Sequence, residues 1–160
     1  MMRRVLLAIF ALIIAGYFAL RFLSGVTVDQ PVESKEGLIQ RAAAAQKLIR
    51  YNAWRTGWIG GSVLGPVILW PIAPTDGETA AAGEFASAVV GAQRTLRGAG
   101  FLCGVFPEGR DGLLSDEEKA LIGEVAAYLR AGDTIWAEPA TVTLMVPIRA
   151  KFPCGEGEQR

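Results

Sequence analysis

The stretch VLLAIFALIIAGYFAL, residues 5–20, contains no charged side chain in sixteen consecutive positions, and Arg21 follows it. A helix rises about 1.5 Å per residue, so sixteen residues cover roughly 24 Å of a hydrocarbon core that is about 30 Å thick. The aliphatic stem of Arg21 lets its charge reach the interface while Phe22 and Leu23 complete the span. The sequence therefore predicts a transmembrane helix from near Val5 to near Leu23.

Two other roles fit a short apolar stretch at an N-terminus, namely a cleaved secretory signal and a buried core helix. Signal peptidase requires small residues at the first and third positions before the cut. Cuts after Gly25, Ser24 or Ala19 would each place a large residue at the third position, which favours an uncleaved anchor. With Arg3 and Arg4 kept inside, the positive-inside rule places the rest of the chain outside the cytoplasm.

The remaining length suits one domain, because single domains cluster at about 100 to 150 residues. The 16 basic and 16 acidic side chains balance, and no window concentrates the basic ones, so nucleic acid is excluded as a partner. A bias toward Arg, Ala and Gly is typical of a GC-rich bacterial genome, so we expect a bacterial inner membrane with the domain in the periplasm. The predicted parts are an anchor (1–25), a linker (26–33), an extracytoplasmic domain (34–154) and a flexible tail (155–160).

Three helices are predicted in this domain. Apolar residues recur near every 3.6 positions in each of them, and a capping residue precedes each one. The first helix is basic and ends in Trp54. It either packs on its own domain, which we favour, or lies on anionic lipid or on the membrane helix of a partner. The caps are Ser34, Thr75 or Asp76, and Ser115, and the helices run from 35 to about 54, from near 78 to 98 and from 116 to 130.

Three strands are expected between and after the helices. The first, Val63–Ile72, is interrupted by Pro66 and is alternatively an irregular segment pressed on the membrane or on a partner. The second is Phe101–Phe106. The third runs from Thr134 to about Phe152 and contains the β-branched and aliphatic run Thr141–Val146. The predicted fold class is therefore α+β or small mixed α/β, with one transmembrane helix and a domain of about three helices and three strands.

A second membrane crossing is the alternative for residues 57–74. No charge occurs from Thr56 to Thr75, a length of twenty residues. The glycines and prolines of this stretch oppose a regular helix. A hairpin would also leave the basic residues of the preceding helix on the outer side, against the positive-inside rule.

The chain contains no histidine, which removes the commonest general base and the commonest metal ligand. No catalytic residue, metal ligand or cofactor is predicted. If the protein were an enzyme, it would use carboxylates such as Glu84, Glu108 or Asp111. Residues 106–110, FPEGR, resemble the Phe-Pro-Glu-Gly-Thr-Arg motif of glycerolipid acyltransferases, but that family needs a His-x4-Asp motif that this chain lacks.

Cys103 and Cys154 are the only cysteines and lie 51 positions apart. In an oxidising compartment two such cysteines form one structural disulfide more often than a redox centre. Closing a loop of this length contributes about 4 kcal/mol in the chain-entropy model. We predict this disulfide, with two free thiols as the alternative.

Three tryptophans flank or lie in the uncharged stretch: Trp54, Trp58 and Trp70. Tryptophan is common in protein cores and also at membrane interfaces and partner interfaces. We assign these three to contact with the membrane or a partner. The resulting hypothesis is a non-catalytic accessory or assembly subunit of a bacterial envelope complex, whose partners are the lipid bilayer and other subunits. The alternatives are a small envelope enzyme and a lipid- or solute-binding sensor.

Overall fold

The N-terminal apolar stretch forms one long helix in the computed structural model, which describes residues 2–57, 61–103, 114–132 and 134–154. This helix, α1, covers Met2–Leu23, and its segment Val5–Leu23 has a mean hydropathy of 2.3 and no buried residue. A core helix would be covered by its own domain, whereas an anchor or a signal segment is not. The predicted apolar helix is confirmed and is compatible with single-pass membrane anchoring.

Helix caps set the starts of the three principal helices that follow. The Ser34 side chain accepts a hydrogen bond from the Gly37 amide, 3.0 Å away. Thr75 and Ser115 each form a capping box with the glutamate three positions later. The predicted helices are confirmed as α2 (Lys35–Thr56), α4 (Asp76–Gly98) and α5 (Asp116–Arg130).

Glycines end two of these helices. Gly100 adopts a φ of 76°, and the bond from the Phe101 amide to the Leu96 carbonyl, 2.9 Å, completes a Schellman motif after α4. Gly132 has a φ of 88° just after α5. Both positions favour glycine because a Cβ is strained in this left-handed conformation.

The core lies between α2 and the pair α4 and α5. The small buried residues Ala42, Ala44 and Ala45 let α2 approach its neighbours closely, and Phe85 of α4 is fully buried in the same core. A 3-10 helix, Ala140–Leu144, and α6, Met145–Lys151, pack on the same core. The fully buried side chains include Leu38, Phe85, Val89, Leu121, Val125, Leu144 and Ile148.

The prediction of an α+β or mixed α/β fold is wrong, because the described residues contain helices and no strand. Residues 141–146, expected as a strand, belong to the 3-10 helix and α6. Burial here recurs at Ala140, Leu144 and Ile148, which is a helical spacing, so packing overrides the β-propensity of the branched residues. Pro147 lies in the first turn of α6, where it does not interrupt a helical hydrogen bond.

The predicted strand Val63–Ile72 is also helical. It contains α3, Gly65–Leu69, and a 3-10 helix, Trp70–Ile72, each with a proline in its first two positions. Proline suits these positions because its φ is already helical and its missing amide has no partner to lose. The second expected strand, 101–106, is irregular at 101–103 and otherwise lies outside the described residues.

A disulfide joins Cys103 to Cys154, with an S–S distance of 2.00 Å. It connects the segment after α4 to the segment after α6. The predicted pairing is confirmed, and such a bond is typical of an oxidising compartment.

Candidate functional site

The second uncharged segment packs against the last turns of α1. The ring of Trp70 stacks on Tyr17, with centroids 5.7 Å apart and planes 15° apart, and meets Phe18 edge-on at 5.7 Å. The Tyr17 hydroxyl donates a hydrogen bond to the Val67 carbonyl. Since Tyr17 lies six residues before Leu23, this contact is about 9 Å along the helix axis from the end of α1.

Arg21 joins α1 to the same segment. Its guanidinium lies 5.2 Å from the centre of the Trp70 ring and donates to the carbonyls of Trp70, at 3.3 Å, and Ala73. The Ser24 hydroxyl donates to the Pro71 carbonyl at 2.8 Å. These carbonyls form the negative end of the 3-10 helix, so the charge of Arg21 is balanced by protein dipoles near the end of an apolar helix.

Apolar side chains on the outer side of this segment are exposed. We call residues 63–70 the apolar shoulder; Val63 is 98% exposed, and Leu64, Val67 and Ile68 are at least half exposed. The shoulder lies beside α1, whose own apolar side chains are exposed as well. Both elements therefore expose apolar side chains.

A buried ion pair holds the exit of α1 to the helical domain. Both carboxylate oxygens of Glu78, which is only 2% exposed, accept hydrogen bonds from the Lys47 ammonium at 2.8 Å. It also accepts from the Val26 amide at 2.5 Å and the Thr75 amide at 2.7 Å. We call these four residues the Glu78 junction, because they connect the chain leaving α1 with α2 and the start of α4.

The pKa of Glu78 reflects this environment. Burial alone would raise the pKa, but the hydrogen bonds from Lys47 and from the Thr75 and Val26 amides, together with the Lys47 charge, outweigh burial and hold the pKa below its ordinary value of 4.5. Glu78 is therefore ionised at neutral pH. A carboxyl that acts as a general acid near neutral pH needs a raised pKa, so the charge of Glu78 serves the ion pair.

The predicted linker, 26–33, is bonded to α2. The amides of Asp29 and Gln30 donate to the Gln40 side chain at 3.1 and 3.3 Å, and Arg41 donates to the Gln30 carbonyl at 2.6 Å. Gly37 permits the return of the chain, because a Cβ there would lie 1.8 Å from the Pro31 carbonyl oxygen. The linker is thus part of the packed structure, while the predicted domain boundaries stay a prediction.

A groove of about 430 Å³ opens where α1 ends. We call it the basic groove, because the described residues that line it include three cations and no acid. Its α2 wall carries residues spaced three or four apart, so they share one helix face. The residues that characterise it are Leu23, Lys47, Arg50, Trp54, Ile72 and Arg130.

The structure separates the residues that the sequence assigned to contacts. Trp54 is half exposed and lines the basic groove, and Trp70 packs on α1. Trp58 lies outside the described residues. Their contact with a membrane or a partner stays a prediction.

The candidate carboxylates are only partly described. Glu84 forms an ion pair with Arg41 at 2.6 Å, with more than half of the glutamate side chain exposed. Glu108, Asp111 and the residues 106–110 lie outside the described part of the chain. Within that part, no three His, Cys, Asp or Glu side chains come together as metal ligands.

Three features of the site were missed in the sequence. Arg21 was expected at the lipid interface, but it binds carbonyls of a segment about fifty residues away. No local sequence pattern indicates that Lys47 and Arg130 belong to the site, because their positions depend on how α2 packs on α4 and α5. The sequence indicates Glu78 only as a residue at the predicted N-terminus of a helix.

The chain matches no protein-family model, and comparisons with curated proteins and with solved structures find no significant match.

Proposed function

We propose that this chain is a single-pass protein of a bacterial inner membrane, anchored by α1, with its helical domain in the periplasm. Arg3 and Arg4 before the apolar stretch support this orientation, and the Cys103–Cys154 bond supports an oxidising compartment. In this position the domain acts as a non-catalytic accessory or assembly subunit of a membrane complex.

The observation that carries the subunit role is the apolar shoulder. Val67 and Trp70 of the shoulder contact Tyr17 of α1 about 9 Å short of the helix end, and residues 61–64, which precede the five-residue helix α3 in the same segment, are not helical. Irregular backbone at membrane depth is tolerated where protein covers it but not where it faces hydrocarbon. We therefore assign the shoulder to contact with the membrane segment of a neighbouring subunit.

Photo-crosslinking in the native membrane tests this assignment. A photoreactive residue at Val63 of the full chain should form a discrete adduct with another protein, which should also copurify in mild detergent. The matched control is Arg94, an exposed position on α4 away from the shoulder, which should form no such adduct. A solitary monomer whose Val63 position labels only lipid would overturn the subunit role.

The lipid- or solute-binding alternative is favoured by one observation, the basic groove. The cations that line this groove suit a charged group at the end of α1. A sensor that encloses an entire lipid would instead need a deep apolar cavity.

A further inference from the structure

We propose that the basic groove binds the phosphate headgroup of an anionic phospholipid in the leaflet on the side of the domain. This inference goes beyond the subunit role and rests on one part of the proposed function, the anchoring of α1 in the bilayer.

The position of the groove is the first argument. Leu23, Ser24 and Gly25 line it, and Leu23 is the last residue of the apolar helix. If Val5–Leu23 spans the hydrocarbon core, these residues lie where the acyl chains meet the headgroups. A lipid headgroup can therefore enter the groove without leaving its leaflet.

The charge of the groove is the second argument. Lys47 is paired with Glu78, but within the described part of the chain neither Arg50 nor Arg130 is paired with an acid. Arg130 donates to the neutral side chain of Gln46, and Arg50 has no hydrogen-bond or ion-pair partner among the described residues. Two uncompensated guanidinium groups thus line one groove, and their planar forks suit the oxygens of a phosphate.

Helix dipoles do not account for both arginines. Arg130 is the last residue of α5, where a cation stabilises the negative helix end. Arg50 lies six residues before Thr56, the last residue of α2, and the dipole effect falls off within the last turn. Arg50 is exposed at the groove, so its guanidinium is available to bind an anion there.

Apolar neighbours favour a lipid over a soluble anion. Leu23, Trp54 and Ile72 line the same groove as the arginines. Tryptophan is enriched at the level of the headgroups, where its ring contacts both apolar and polar groups. A phospholipid satisfies both parts of the groove, since its phosphate meets the arginines while its glycerol and upper acyl carbons meet the apolar side chains.

Native mass spectrometry of the full chain in a neutral detergent tests the site. Phosphatidylglycerol and phosphatidylcholine with identical acyl chains are added separately, and the bound lipid is counted. We expect the wild-type chain to bind phosphatidylglycerol about tenfold more tightly. Both lipids offer a phosphate to the arginines, but phosphatidylcholine also brings a quaternary ammonium cation beside Arg50 and Arg130, which repel it. Equal binding of the two lipids would overturn the proposal.

Variants locate the preference in the groove. Arg50→Gln with Arg130→Gln should abolish it, Arg50→Lys should reduce it in part, and Arg94→Gln, an exposed change on α4, should leave it intact. Circular dichroism checks that each variant is folded, and the lysine variant, which keeps the charge, provides the test if the double variant is not. A preference that survives the folded double variant, or the lysine variant without any reduction, would contradict the proposal.

Two further arms separate the possible sources of failure. Inorganic phosphate at millimolar concentration should not displace the lipid; complete displacement would assign the groove to a soluble anion and overturn the lipid proposal. Flotation with vesicles tests the anchor by itself. A chain that floats without lipid preference overturns only the groove, whereas a chain that does not float overturns the anchoring on which both proposals depend.

Discussion

The Glu78 junction and the Cys103–Cys154 disulfide each connect two distant parts of the chain, one near the start of α4 and the other just after its end. Val26 and Glu78 are 52 positions apart, and the two cysteines are 51 apart, so each contact closes a loop of nearly the same length. The first is made of hydrogen bonds to one buried carboxylate, and the second is covalent. Chain attachment at the exit of α1 therefore depends on charge, whereas attachment at the other end of α4 depends on oxidation.

Removing the disulfide should have the largest effect. Replacing both Cys103 and Cys154 by serine should lower the free energy of unfolding by about 4 kcal/mol, since the unfolded chain regains the entropy of the open loop. Urea unfolding of the full chain in detergent, followed by tryptophan fluorescence, measures this loss. Wild-type protein with a thiol reductant is the control and should shift by the same amount. A loss below about 1 kcal/mol would show that the disulfide end does not depend on its covalent bond.

Glu78→Gln should have the next largest effect. The substitution keeps the shape of the side chain but leaves the Lys47 ammonium, only 12% exposed, without its counter-charge. Breaking one partner of a buried pair predicts a loss of about 3 kcal/mol in the same unfolding measurement.

Glu84→Gln is the matched control on the same helix. Its ion pair with Arg41 is largely exposed on the glutamate side, so the expected loss is at most about 0.5 kcal/mol. Similar losses for both variants would contradict the special role of the Glu78 junction.

Gly37→Ala tests the return of the linker onto α2. The added Cβ would meet the Pro31 carbonyl oxygen at 1.8 Å, so the linker must shift, at an expected cost of about 2 kcal/mol. Gly83→Ala on α4 has open space around it and should instead stabilise the chain, by up to about 1 kcal/mol. Thermal unfolding distinguishes the two signs, and a stabilising Gly37→Ala would refute the close approach.

Acid should weaken the junction and spare the disulfide. The pKa of Glu78 lies below 4.5 in the folded chain, so the unfolded chain binds more protons as the pH falls below that value. The contribution of Glu78 is fully present above the unfolded pKa and is lost as the pH falls through the folded one. Unfolding at a series of pH values should therefore show a shallower acid decline for Glu78→Gln than for the wild type. Parallel declines would exclude Glu78 as a cause.

The same comparison shows what could be predicted from the sequence. The capping residues Ser34, Thr75 and Ser115 act within three positions along the chain, so α2, α4 and α5 were predicted nearly in full. The disulfide was predictable because the chain offers only one pair of cysteines. The junction was not, since Lys47 and Glu78 are 31 positions apart and meet only when α2 packs on α4.

The predictions of strands at residues 63–72 and 141–146 are wrong for two physical reasons. Pro66 would interrupt a strand, but it is compatible with the first turn of a helix and lies at the start of α3. Residues 141–146 were interpreted by their β-branched side chains, although their burial follows a helical period. The basic groove combines α1, α2 and α5, so no local pattern could have indicated it.

The bonds between the linker and α2 also determine how far the domain can search for a partner. Eight free residues would reach about 28 Å when extended. Asp29, Gln30 and Gly37 instead hold the chain against α2, so the domain does not have the reach of an extended linker. If α1 is anchored as proposed, this keeps the domain in a thin layer beside the bilayer, where a partner in the same layer would meet it at a high effective concentration.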